Sequence, residues 1–334
     1  MTHRRTALWA SVSLFAILAA NPSSLNAQSR RTANVPIVAP TPTVSPWTVW
    51  LEGGGVNSSG GDPYVNGFAS PGFFVNPKRW GWEAAGGVDY RFNSIWHVSG
   101  QFRYGTNRAA SKAHNPNATF LVPTTSATST PLGVTGSNSA SRKEEHWLAD
   151  FMVGRDMNIG MGSSQVKFGI RVASIKGTTT GSAAWNVPTT TATTTTAVHR
   201  RSYAQSSTFV GVGPRLAIEG SVPLGGGWSF DYNGGIAALV GDRKLSQHVT
   251  LSGANVNPCL AGCPVTGTSV SNGTVFNLDV QPALAYAIDR TWKASVSYRF
   301  DGYWNAMRTY DANSNQVNVD RFYQGAFLRL TATR

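Results

Sequence analysis

The chain has 334 residues and a formal net charge of +12, from 28 basic and 16 acidic side chains. The charges are scattered, with no long basic run and no basic helix, which excludes an ordinary nucleic-acid binder and favours attraction to an anionic lipid or polysaccharide surface. Past the N-terminus no apolar run approaches the roughly 20 residues of a membrane helix. A membrane location would therefore require a closed β-barrel, the other structure that satisfies its own backbone in lipid.

Residues 1–27 combine Arg4 and Arg5, an apolar run from Leu8 to Ala20 and a small residue at Ala27, the pattern of a cleaved secretory signal peptide. Residues 28–46 are polar with spaced prolines and read as a flexible periplasmic leader. Residues 47–334 read as one barrel domain, in which segments that alternate with period two are separated by loops that do not. The first strand, Trp47 to Val56, sets Trp47, Val49 and Leu51 against Thr48 and Glu52, with Trp50 intruding on the polar face.

The clearest alternation is a hairpin from Trp80 to Gly105. One face holds Trp80, Trp82, Val88, Tyr90, Phe92, Trp96, Val98, Phe102 and Tyr104; the other holds Glu83, Asp89, Arg91, His97 and Arg103. Aromatic residues at both ends of an apolar face, with charges in mid-strand on the opposite one, are the layout of a transmembrane β-barrel strand. The same grammar recurs along the chain. It places Asp150 and Asp156 inward on a strand from Glu144 to Met157, although Leu148 and Met152 make the alternation there imperfect. It places Lys167 and Arg171 inward on Gln165–Lys176, then Arg215 and Glu219 on Ser206–Val222, where Pro214 predicts a bulge. Asp231 follows on the strand from Trp228, Asp279 on the strand from Phe276, Lys293 and Arg299 on the strand from Trp292, and Arg329 on Phe322–Ala332.

The pattern predicts an all-β fold, a transmembrane antiparallel up-and-down barrel of about ten strands. Short periplasmic turns fall near 93–95, 158–164, 223–227 and 289–291. Long extracellular loops fall near 57–79, 106–143, 177–201, 244–273 and 304–320. Cys259 and Cys263 lie in a polar loop and, in an exported chain, favour a small loop disulfide over a metal site, since no histidine lies nearby. The inward charges are of mixed sign and should pair. If Ile288 faces Trp292, Gln281 faces Arg299 with Asp279 diagonal to it; if Phe92 faces Trp96, Arg103 faces Ala85 with Glu83 diagonal. A barrel of about eight strands is filled by its own side chains, so ten predict a narrow lumen.

The segments SYRFDGYWNA (Ser297–Ala306) and RFYQGAFLRLTA (Arg321–Ala332) resemble the Legionella-type family of major outer-membrane proteins. GWEAAGGVDYRF, WHVSGQFRYG and GPRLAIEG (Gly213–Gly220) are similar to the same family's early and middle strands, so the resemblance runs from Trp47 to the end. It implies a pore-forming, porin-like barrel in the bacterial outer membrane. Tyr323, Gly325, Leu328 and Leu330 match such a barrel's assembly signal, but Arg334 stands where a terminal Phe is usual.

The expected partners are outer-membrane lipid, lipopolysaccharide and the outer-membrane assembly machinery, with no nucleic acid, no cofactor, no metal and no catalytic residue. The expected role is passive passage of small solutes or ions through a charged lumen. Two alternatives stand beside it: a structural or adhesive barrel using its Thr-, Ser- and Asn-rich loops, and an omptin-like protease with Glu144, Glu145, His146 and Asp301 at the outer rim.

On these faces Val88→Arg should block insertion, at about 2–4 kcal/mol for arginine at the bilayer midplane, and Gly87→Ser should be tolerated; heat-modifiable gel migration reads both. Replacing Cys259 and Cys263 by Ser should leave that migration intact, because closing so short a loop stabilises little.

Overall fold

A strand inside a bilayer must find hydrogen-bonded neighbours on both edges, because no water is there to replace them. The chain, in a computed structural model, meets this demand by closing on itself. The structure describes residues 46–60, 79–123, 129–157, 162–188, 196–252, 266–310 and 315–334. The signal-peptide and leader segments and the Cys259–Cys263 pair lie outside them.

Ten antiparallel strands follow one another around a closed barrel: β1 (Trp47–Gly60), β2 (Trp80–Arg91), β3 (Trp96–Pro123), β4 (Ser129–Met157), β5 (Ser163–Pro188), β6 (Thr196–Gly225), β7 (Trp228–Ser252), β8 (Gly267–Ala287), β9 (Trp292–Tyr310) and β10 (Gln316–Thr333). The seam pairs β1 with β10, Leu51 opposite Leu330 and Glu52 opposite Arg329. Its periplasmic end is tied by Trp47 and Arg334, which exchange backbone bonds of 3.2 and 2.9 Å.

Side-chain exposure follows the alternation. Leu51 and Phe151 are 69% and 66% exposed on the lipid face, while the adjacent Glu52 and Asp150 are buried. Outward aromatics gather at both ends of the apolar band. Trp47 meets Tyr90 and Trp228 meets Tyr286 beside the short turns, and Trp82 meets Tyr104 and Trp304 meets Phe322 at the other end.

Two of the short turns use one device. Asn93 Oδ1 accepts from the amides of Ile95 and Trp96 at 2.8 and 2.7 Å, and Asp289 Oδ1 from those of Thr291 and Trp292 at 2.6 and 2.7 Å. The β6–β7 turn instead needs glycine, since Gly226 and Gly227 have φ of 59° and 84°.

The structure departs from the sequence reading in four places. The described parts of the segments read as loops are mostly strand: β3 and β4 pair far past the apolar band, with Asn107 opposite Glu144 and Val122 opposite Thr130. Outside the bilayer both faces of a strand meet water, so the alternation vanishes while the β-branched composition still supports the ladder. Pro214 makes no bulge. It interrupts pairing to β7, but the register with Val212 opposite Val240 resumes unshifted at Arg215 opposite Ala237. Gly87 is not free to gain a side chain, because a Cβ would come within 2.6 Å of the Trp50 ring; Gly87→Ser requires that indole to move.

The fourth departure concerns the outer mouth. β9 leaves β8 after Trp304, and Asn305 turns into the left-handed region at φ 60°, its amide held 2.8 Å from Asp320 Oδ1. The β9–β10 register shifts at the same level, between Val319 and Arg321. Beyond this bulge the Arg308 amide donates to Ser207 Oγ at 3.0 Å, and Gln205 Nε2 reaches Thr309 Oγ1 at 3.3 Å. Ser207 and Gln205 are on β6, which the sheet order separates from β9 by two strands. Residues 306–309 therefore cross the lumen. Ala306 and Met307 are buried there among Val56, Leu148, Ile175, Phe209, Leu239 and Val275. Met307→Ala removes the apolar anchor of this inturned segment. It should cost roughly 2–5 kcal/mol, read as a lower urea midpoint, and should speed tryptic cleavage after Arg308.

Candidate functional site

The inward faces of the strands form three zones, ordered here from the short-turn end outward. In the first, a cavity of about 460 Å³ opens among Trp50, Asp89, Lys167, Glu219, Asp231, Lys293 and Arg329. Its charges are paired. Lys167 Nζ lies 3.0 Å from Asp89 and 2.9 Å from Glu219, and His97 Nδ1 lies 2.8 Å from the same Asp89 oxygen. Arg91 meets Asp156 at 3.0 Å and Lys293 meets Asp231 at 2.6 Å. Trp50, which breaks the polar face in the sequence, has a role: the Arg329 guanidinium stacks 4.2 Å from its ring and donates to Glu52 at 2.9 Å.

The middle zone is a bridge of charges across the lumen. Arg299 on β9 donates to Glu52 on β1 at 2.5 Å and to Glu83 on β2, and packs over the Phe327 ring. Arg103 on β3 donates to Asp301 on β9 at 2.9 Å. Arg171 on β5 holds Asp150 through two bonds of 2.7 Å and reaches Asp279 on β8 at 2.7 Å; Arg215 on β6 grips the other side of Asp279. Gly235 on β7 leaves the room that the Arg215 guanidinium occupies, since a Cβ there would come within 2.6 Å of it. Planar guanidinium forks suit this geometry, each binding one carboxylate by two bonds or two carboxylates by one.

The third zone is the apolar cluster with its inturned segment, capped by Glu144, which takes Arg142 at 3.0 Å and the Tyr323 hydroxyl at 2.8 Å. Sequence reasoning missed this zone. The signal was present: Leu148 and Met152 spoil the polar face of β4, and Ile175, Phe209, Leu239 and Val275 share inward parity just beyond the lipid-facing runs.

The registers expected from the turns are observed, with Ala287 opposite Lys293 and Ala85 opposite Arg103, but the ion pairs are different ones. Asp279 goes to Arg171 and Arg215 instead of Arg299, and Glu83 goes to Arg299 and His146 instead of Arg103. In so narrow a lumen a long side chain reaches the far wall, where a bidentate partner is available, more readily than it bends to a diagonal neighbour. Of the four rim residues, three are buried and linked through Tyr323, Glu83 and Arg299, and one lies outside. Glu145 lies on the outer face against Lys143, His146 is buried against Glu83, Glu144 is under Arg142, and Asp301 is buried between Arg103 and Arg299. Among the described residues no His, Cys, Asp and Glu group is placed to hold a metal ion.

A closed antiparallel barrel with a lipid-facing apolar band and aromatic ends is a transmembrane β-barrel, here one whose lumen is filled by its own side chains. Residues 65–332 match the family described as Legionella pneumophila major outer membrane protein precursor. The chain belongs to that family and resides in the bacterial outer membrane; the match starts after β1, short of the span suggested by the sequence segments. No curated protein sequence matches.

Among solved structures, the outer membrane protease OmpT from Escherichia coli is similar at 10% identity and TM-score 0.41, covering 88% of this chain and 99% of that one. The translocator domain of the autotransporter NalP from Neisseria meningitidis is similar at 8% identity and TM-score 0.31, covering 87% and 89%. The outer membrane protein OprG from Pseudomonas aeruginosa is similar at 8% identity and TM-score 0.27, covering 86% and 97%. None reaches a TM-score of 0.5, so the family match carries the assignment.

Breaking the middle zone should be costly. Arg299→Gln removes the cation shared by Glu52 and Glu83, leaving Glu52 only to Arg329 and Gln281 and Glu83 to His146, and should cost about 3 kcal/mol. Arg91→Gln, at a half-exposed pair, should cost no more than about 1 kcal/mol. Urea titration of the folded barrel in micelles compares the two.

Proposed function

We propose that the barrel is a narrow passive conduit for ions and small polar solutes, with a path set by the buried ion pairs. The observation that carries this reading is the cavity of about 460 Å³ lined by charges of both signs, which leads inward from the short-turn end and stops at the arginine bridge. Beyond it the obstacles are side chains and the inturned outer ends of β9 and β10, so a passage requires rearrangement there with the rest of the barrel intact.

The role is non-catalytic, supported by the burial of Glu144, His146 and Asp301 in a network of ion pairs and by the place of Glu145 on the outer face. Lipopolysaccharide is the proposed lipid partner. Arg108 and Lys143 stand directly opposite each other on the outer face, and although Lys143 also meets Glu145, the pair offers two cations to a bridging phosphate. Leu328 and Leu330 on β10 face lipid, where the assembly machinery would read them. A second reading, a structural surface barrel, is favoured by the closure of the lumen at mid-depth.

Single-channel recording in a planar bilayer tests the proposal. The wild type should show small or interrupted conductance, and Arg103→Gln combined with Arg299→Gln should enlarge it and shift it toward cations. Large, steady wild-type currents indifferent to both substitutions would refute the ion-pair path. Complete silence, persisting after removal of residues 306–319, would leave the structural barrel as the function.

A further inference from the structure

Five adjacent strands, β3 to β7, repeat one outward pattern at the outer edge of the apolar band. Their last apolar or aromatic side chains facing lipid are Tyr104, Trp147, Val172, Val210 and Val240 in turn. Four residues farther out on the same face stand Arg108, Lys143, Lys176, Ser206 and Lys244, a cation on all but β6. Arg108, Lys176 and Lys244 are exposed. The position between holds Glu145 on β4 and Asp242 on β7, so these acids stand nearer the hydrocarbon than the cations. Glu145 takes Lys143 at 2.5 Å, with Lys176 directly opposite and the Tyr104 hydroxyl at 3.4 Å. At these positions on β3–β5, three cations share one carboxylate. Beneath them Trp82 lies 5.8 Å from Tyr104, and Phe102 stacks on Trp147 at 6.4 Å. Farther out the same face is small and polar. Ala110, Ser141, Thr180, Ala204 and His248 stand opposite one another in a row across the five strands. They border a depression of about 500 Å³, where Ser139 Oγ and Ser182 Oγ lie 3.0 Å apart.

Outward from the bilayer, this face is therefore aromatic and apolar, then cationic, then shallow and lined by hydroxyls. Acyl chain, phosphorylated sugar and oligosaccharide follow in that order in a single glycolipid. We propose that the outer face of β3–β7 is a defined binding site for one lipopolysaccharide molecule. The inference rests on the reading of lipopolysaccharide as the lipid partner and gives that partner a place on the wall. Four residues rise about 13 Å along a strand, and less along the membrane normal when the strand is tilted, which sets the cations in the headgroup layer. The phosphates of the lipid A disaccharide lie against Arg108 and Lys143 on one side and against Lys176 and Lys244 on the other. Guanidinium and ammonium groups bind phosphate directly, so no bridging divalent ion is needed. The core sugars occupy the depression, which a phospholipid headgroup has nothing to fill.

The test uses the full chain refolded in detergent micelles, its folding checked by heat-modifiable migration. Bis-phosphorylated lipid A, its dephosphorylated form and core-bearing lipopolysaccharide are titrated in the presence of a chelator. Saturable binding of bis-phosphorylated lipid A is expected. Combining Arg108→Gln, Lys143→Gln and Lys176→Gln should weaken it at least about tenfold. Arg155→Gln should leave it unchanged, since that side chain sits outside over Trp96, beside a short turn. Ala204→Trp, which fills the depression, should weaken binding of the core-bearing form and leave lipid A unaffected. Equal binding of dephosphorylated lipid A, or an equal loss in Arg155→Gln, would overturn the proposal. So would core binding indifferent to Ala204→Trp. Lipid A binding that survives the triple substitution would remove this site and leave the partner; a wild type that binds no lipid A would remove the partner as well. None of these readouts involves ion flow, so they are separate from the conduit reading.

Discussion

The constraint on which everything else depends is that a strand in hydrocarbon cannot leave its backbone unbonded. The β1–β10 seam answers it, and closure with ten strands then fixes an interior narrow enough that long side chains from opposite walls meet. Whatever the inward side chains are, they meet each other. In this chain many are charged, and a buried charge without a partner is far more costly than a buried pair. The mid-lumen network follows from the closure as directly as an apolar core follows from packing two soluble sheets.

The interior is filled by two different chemistries. Toward the short turns the charges are half-buried and border a cavity, so they are held in mixed-sign clusters that water can still reach. Farther out, Phe209, Leu239 and Val275 are fully buried on faces that sequence parity alone would assign to a polar lumen. The apolar plug needs something to pack against on its outer side, and the bulge at Asn305 provides it by sending Ala306 and Met307 inward. The local break in β9 and the apolar run inside the barrel are one arrangement, each of little use without the other.

Much of this was legible in the sequence. Period-two alternation with aromatic ends located the membrane-spanning part of each strand, and the Asn93 and Asp289 turns fixed registers that the structure keeps. What could not be read had a physical reason in each case. The outer halves of β3 to β6 carry no alternation because neither face meets lipid, so a ladder such as Thr180 opposite Ala204 looks like loop. Ion-pair partners depend on which walls face each other across the lumen, a property of the closed ring, whereas register names neighbours within the sheet alone. The inturned segment hinges on one residue, Asn305, whose left-handed conformation is common for asparagine and announces nothing by itself.

The alternation has a further consequence, for the accuracy of assembly. A slip of β9 by one position against either neighbour would turn Lys293, Arg299 and Asp301 out of the lumen and into hydrocarbon, and bring Val296 and Tyr298 in. Each misplaced charge near the midplane carries a penalty of a few kcal/mol, and its former partners on β1, β2 and β3 would be stranded as well. Misregistered barrels are thus rejected by the same residues that occupy the lumen. A smooth, uncharged interior would conduct more easily, but it would leave a long ladder of similar strands with little to distinguish the right alignment from the next one along.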